Sequence, residues 1–232
     1  MESPASLPAP NTGGDIIVRS GSRLVLFALI LVLVVPAALP VATADSGRRF
    51  KTIARTFTQA DGITIDPAPN AVGPVAPYPS SLIVIGIKRG RIEKIYLTLY
   101  GFSHQNPRDV DILLVKRDAG SRTAVVLSDI GGEAIAETNL TLTLADKAAG
   151  PLPADGSLDS GIFRPTNAEI SSDVFPAPAP AIDTNSALDT FDGLTPNGEW
   201  RLFVVDDAAG NTGSIDAWEL RMKVKVRTNH KR

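Results

Sequence analysis

From residue 81 onward, apolar and polar positions alternate through most of the chain. Within 218–227, Trp218, Leu220, Met222, Val224 and Val226 fall on one parity, and Glu219, Arg221, Lys223, Lys225 and Arg227 on the other. Successive side chains of a strand point to opposite faces, so this period of two predicts a half-buried β-strand. Just before it, Trp200, Leu202 and Val204 share one parity. The intervening residues 207–213 accept turn geometry. The pattern predicts a long C-terminal hairpin with a Trp in the core on each arm.

The same reading marks further strands. Residues 63–65 read as a short edge strand, and 81–87 are apolar and β-branched. After a turn at 88–90, Ile95, Leu97 and Leu99 alternate with Tyr96, Thr98 and Tyr100. Segments 109–115, 123–127 and 139–144 follow, the last with Leu inward and Thr outward. Residues 45–58, with Arg48, Arg49, Lys51 and Arg55, read as a solvated lead-in. Five prolines between Pro67 and Pro79 exclude regular structure there. Residues 148–188 lose the alternation and are rich in proline. So long an irregular connection reads as a binding loop or a crossover between sheets. About eight short strands with turns between them predict an all-β sandwich.

The N-terminal region has a different character. Residues 1–22 are polar and rich in Pro, Gly and Ser, the composition of a disordered segment. Arg19 and Arg23 then precede an apolar run at 24–35, and Ala42-Thr43-Ala44 comes before Asp45. A basic start, a short apolar core and an Ala-x-Ala end describe an export signal. The alternative is an uncleaved anchor, since 24–41 is nearly long enough to span a bilayer. On either reading the rest of the chain is extracytoplasmic, secreted or at the cell surface, and an uncleaved anchor is its only membrane contact. The division is 1–22 disordered, 23–44 signal peptide or anchor, 45–78 linker and lead-in strand, 79–227 sandwich, and 228–232 basic tail.

Composition narrows the chemistry. The chain has 232 residues, a formal net charge of -2 and no cysteine. Disulfides and thiolate metal sites are excluded, and the near-neutral charge gives no sign of a nucleic-acid partner. A serine nucleophile needs a histidine base oriented by a carboxylate. The two histidines are His104 and His230; His230 sits in the basic tail, and no Gly-x-Ser-x-Gly stretch is present. His104 reads as a histidine bonded to backbone at a strand turn. No catalytic residue is assigned.

Calcium takes six to eight oxygen ligands, several from carboxylates. Asp109, Asp111, Asp206 and Asp207 stand at predicted strand ends and form the candidate metal set, with Asn211 nearby. Their alternative role is to cap turns. Tyr96 and Tyr100, with Tyr78 and Phe102 near, read either as sugar-binding aromatics or as cover for a sheet. Asn139-Leu140-Thr141 is a formal glycosylation sequon in mid-strand.

Several segments resemble the P domain (P/Homo B domain) of subtilisin-like proprotein convertases. His104-Gln105-Asn106-Pro107-Arg108-Asp109-Val110-Asp111-Ile112 is similar to its His-Thr…Gly-Asp-Leu element, although Arg108 replaces the usual Gly. Phe191-Asp192-Gly193, Gly198-Glu199-Trp200-Arg201-Leu202, Val205-Asp206 and Gly213-Ser214-Ile215-Asp216-Ala217-Trp218-Glu219-Leu220 look like its closing motif. Gly161-Ile162-Phe163-Arg164-Pro165 is similar to an element of bacterial members. The resemblance implies a jelly-roll β-sandwich (galactose-binding-like) that is itself non-catalytic and associated with serine-type endopeptidases and proteolysis. It implies a secreted protein or protease as partner, with a surface glycan as the alternative, and calcium as a possible ligand of the fold.

Overall fold

A computed structural model describes residues 49–66, 71–118, 120–169, 173–183 and 185–228. The disordered segment, the export signal or anchor and the end of the basic tail, with His230, lie outside the described residues. Two sheets stack face to face. The first has seven strands, with β1 (Arg49–Gln59), β13 (Ala217–Thr228), β5 (Gly90–His104), β12 (Gly213–Ile215) and β2 (Ile63–Ile65) in spatial order. β8 (Glu137–Leu144) also pairs with β5, and β9 (Gly161–Phe163) lies parallel to β8. The second sheet has six strands: β10 (Thr166–Asn167), β7 (Arg122–Ser128), β6 (Val110–Arg117), β11 (Gly198–Asp206) and β3 (Gly73–Pro74), with β4 (Ser80–Val84) also on β11. Among the described residues there is no α-helix, only two short 3-10 turns at Pro107–Asp109 and Leu188–Phe191. The architecture is the all-β sandwich that the alternation predicts.

The predicted C-terminal hairpin is not formed. β11 pairs with β6 and β4 in the second sheet, whereas β13 pairs with β1 and β5 in the first. The loop between them crosses from one layer to the other. Both arms carry their apolar parity inward, as expected, but from opposite sides of one core. Trp200 and Trp218 are fully buried, with Leu202, Val204, Leu220, Met222 and Val224 around them. Trp200 enters the shared core from the second sheet and Trp218 from the first, so the two large side chains fill it from both layers.

Residues 49–59 are not a bare lead-in. β1 runs antiparallel to β13 along its whole length, from Arg49↔Thr228 to Gln59↔Trp218. As an edge strand it is solvated on both faces, with only Ile53 and Phe57 packed on the core. The proline-rich connection has two roles. Its first half crosses between the sheets through β9 and β10. Its second half lays Phe175, Ala179 and Ile182, with Tyr78, over Leu113, Val115, Val125 and Phe203 on the outer face of the second sheet. Tyr78 meets Phe203 edge-on at 5.0 Å and donates its hydroxyl to Pro176 O. Phe102 is core, while Tyr96 and Tyr100 lie half-buried on the open face of the first sheet.

Candidate functional site

Carboxylates gather at the rim where β6 begins and β7 and β11 end. The Asp207 amide donates to Asp109 O at 2.9 Å, tying the start of β6 to the end of β11. Alternation along the strands then sends neighbouring acids to opposite faces.

On the inner face, Asp206 continues the parity of Leu202 and Val204. Its Oδ2 lies 3.4 Å from His104 Nε2, and both side chains are fully buried. Neither atom has a hydrogen-bond partner among the described residues. A proton on either atom would join them. His104 Nδ1 is 2.7 Å from Asn106 O, the backbone contact expected of it. No serine or threonine hydroxyl is among the hydrogen-bond partners of His104 in the described residues, so it has no nucleophile to activate. Asp109 is also buried; it accepts hydrogen bonds from Asn106 Nδ2 at 2.6 Å and Asn211 Nδ2 at 2.9 Å.

Asp111 takes the opposite parity and points to the outer face. There one oxygen each of Asp111, Asp129 and Asp173 lies within 4.8 Å of the others. Ser128 Oγ is 2.9 Å from Asp129 Oδ2 and 2.8 Å from Asp173 Oδ1, and its single proton serves one at a time. Asn167 Nδ2 donates to Asp173 Oδ2 at 2.6 Å. Burial pushes the Asp111 carboxyl from 3.8 up to about 8; Ser128 opposes this, and the charges of Asp173, Asp207 and Asp129 add to it. Asp173 is raised too, by desolvation first, and so is Asp207. Three carboxylate oxygens this close are the hard donors that calcium accepts.

The structure therefore brings Asp111 to Asp129 and Asp173 and sets Asp207 beside them, while Asp109 and Asp206 have other partners. Asp129 and Asp173 were not legible as site residues. Asp129 sits just past β7 with φ 54°, and Asp173 lies in the proline-rich connection. The one local signal is the Ser128-Asp129 pair at a strand end, where short polar residues tolerate left-handed backbone.

The closing segment is built around the same rim. A Cβ at Gly213 would run into Ser103 O and stand 2.5 Å from His104 Cδ2, so the close pairing of β12 with β5 at this point requires glycine. Trp200 Nε1 donates to Pro196 O at 3.0 Å and Trp218 Nε1 to Ser80 Oγ at 2.9 Å. Each indole is thus buried with its polar atom satisfied. Residues 176–222 match the family model of the proprotein convertase P-domain. The P-domain match takes in β11, β12 and the first half of β13, hence both indoles and Gly213, and supports the resemblance seen in the sequence. Among solved structures, a similarity is found to a chain of the "Crystal structure of aeromonas sobria serine protease (ASP) and the chaperone (ORF2) complex", at 14% identity and a TM-score of 0.34. It covers 77% of this chain, which spans 28% of the length of that one. No curated protein matches.

Proposed function

We propose that the chain is an exported, non-catalytic P-domain-like module that binds or stabilises a secreted protein, in the first instance a subtilisin-like serine protease. The observation that carries this reading is the P-domain match at residues 176–222. The setting of His104 agrees with it: among the described residues its ring bonds Asn106 O and faces Asp206, with no serine hydroxyl bonded to it. The test uses the purified chain as bait against the proteins exported beside it. A captured partner is expected to react with a fluorophosphonate serine probe, and its thermal inactivation is expected to slow when the chain is added. Labelling of the chain itself by the probe, together with inhibitor-sensitive peptide hydrolysis, would overturn the non-catalytic assignment.

The reading includes calcium, held by Asp111, Asp129 and Asp173, where a divalent cation would relieve mutual repulsion. The sign of the pH effect follows from Asp111. Its folded value, about 8, lies above its ordinary 3.8. Its contribution to stability is therefore complete below about pH 4 and is lost as pH rises to about 8, at up to ~1.4 kcal/mol per pH unit. Asp111→Asn is expected to melt higher than the parent at pH 8 in chelator and close to the parent at pH 4. Millimolar calcium is expected to raise the parent melting temperature at pH 8 and leave Asp111→Asn unmoved. Equal calcium shifts in both proteins would remove the assignment.

A further inference from the structure

A second surface lies far from the acidic rim in sequence. A groove of about 790 Å³ opens where the 85–90 turn meets the start of β1 and the end of β13. Lys88, Arg89, Arg91 and Arg227 line it, and no carboxylate is among its described lining residues. Among the described residues, Lys88, Arg91 and Arg227 form no ion pair. Phe50 forms one wall, about half exposed, with Lys225 Nζ 5.5 Å from its ring centroid. The chain as a whole carries a formal charge of -2. The concentration of cations is therefore local and not a reflection of general basicity.

The groove is held in shape. Asn197 clamps the turn with both amide atoms: Oδ1 accepts from the Ile87 amide at 3.1 Å, and Nδ2 donates to Ile87 O at 2.9 Å. Gly90 lets the turn close over the sheet, because a Cβ there would stand 2.6 Å from Ile87 Cγ2 and 2.7 Å from Val224 Cγ1. The positive surface also continues beyond the groove. Arg227, Lys225, Lys223 and Arg221 are exposed on alternate positions of β13, on the uncovered face of the first sheet. Alternate residues of a strand recur about every 6.5–7 Å, so the row is about 20 Å long. Tyr96 lies beside it, with Lys94 and Arg221 at 5.4 and 5.6 Å from its ring.

We propose that this groove and the β13 row form a binding track for a linear acidic polysaccharide. Four cations recur along the row, with the Glu93 carboxylate, bonded to Thr52 across β13, the acid beside them; such a row suits a chain of recurring negative charges and exceeds what a single small anion can use. Phe50, about half exposed, adds an apolar wall beside the cations against which a sugar ring can pack. On the reading of residues 23–44 as an export signal, the acidic polymers that the domain meets are surface or extracellular glycans. This proposal does not depend on the protease reading.

The test measures retention of the full chain on immobilised polygalacturonate, with neutral dextran as control. Phosphatidylglycerol vesicles and single-stranded DNA serve as competing polyanions. Binding is expected to polygalacturonate and not to dextran, and to weaken as salt screens the charges. Lys88→Glu/Arg227→Glu is expected to weaken binding about tenfold or more, equivalent to about 1.4 kcal/mol. A charge-matched control on the second sheet and a distant loop, Arg122→Glu/Lys147→Glu, is expected to lose less than about threefold. In the parent chain, polygalacturonate is expected to shield Lys88 from acetylation, a readout that holds even if the double variant folds poorly. Equal losses in the two double variants, unchanged acetylation of Lys88, no retention at low salt, or tighter binding to vesicles or DNA than to polygalacturonate would each overturn the proposal.

Discussion

Replacing Trp218 with alanine is expected to lower stability by about 3–5 kcal/mol, read as a fall in the denaturant midpoint. The indole is fully buried between the layers, in register with Leu99 of β5, and its Nε1 donates to Ser80 Oγ. A domain of this size has a net stability of about 5–15 kcal/mol, so the variant would retain only part of it or unfold. Trp200→Ala should cost a similar amount, since Phe191 packs edge-on against it at 5.1 Å and would lose that contact. Trp218→Phe separates the two contributions. It keeps most of the apolar volume but leaves Ser80 Oγ without its donor, at a cost of about 1–3 kcal/mol. A Trp218→Ala protein with the parent's midpoint and slope would show that the interlayer core is not where the stability resides.

Lys116→Ala should be the next most damaging change, at about 2–4 kcal/mol by the same midpoint measurement. Lys116 is fully buried in β6, an unusual place for an ammonium group. Its Nζ donates to Asp118 Oδ1 and Asn197 O, both at 2.9 Å, and lies 5.5 Å from the Trp200 ring centroid. The long stem fills space beside the indole, and the head links β6 to the residue that clamps the 85–90 turn. Lys116→Met keeps the stem and removes the charge. A buried pair often contributes little net stability, so this variant should lose less than about 1.5 kcal/mol. If Met is as damaging as Ala, the charge and not the packing fixes this position. The neighbouring Gly198 has φ 120°, and a Cβ there would stand 2.7 Å from Lys116 Nζ, so Gly198→Ala should disturb the same bridge.

What the sequence reveals and hides has a physical basis. β5, β6, β7, β8 and β13 were legible because each buries one face and solvates the other, or is buried outright. β1 was not, because an edge strand lying mostly in water carries little apolar signal; only Ile53 and Phe57 mark its inner side. The turn chemistry of 207–213 was legible, but its consequence was not. A loop that closes a hairpin and a loop that changes layers use the same small polar residues, and only the strand partners, β6 and β4 for one arm and β1 and β5 for the other, decide between them. Asp111 could be singled out by its place at a strand end. Its companions Asp129 and Asp173 come from other elements, and nothing local in the chain announces that they converge. The cationic groove is hidden for the same reason, since Lys88, Arg91 and Arg227 come from a turn and from two strands that are distant in sequence.

The seam between β1 and β13 has a kinetic consequence. Its outermost hydrogen bond, from Thr228 Oγ1 to Arg49 O, joins residues 179 positions apart. Contacts of such long range close late, because the entropy of a large loop must be spent before they form. Until residues 217–228 are in place, β1 has no partner and the first layer lacks the strand that joins β1 to β5. Completion of the first layer therefore waits on residues 217–228, however early the rest of the core collapses.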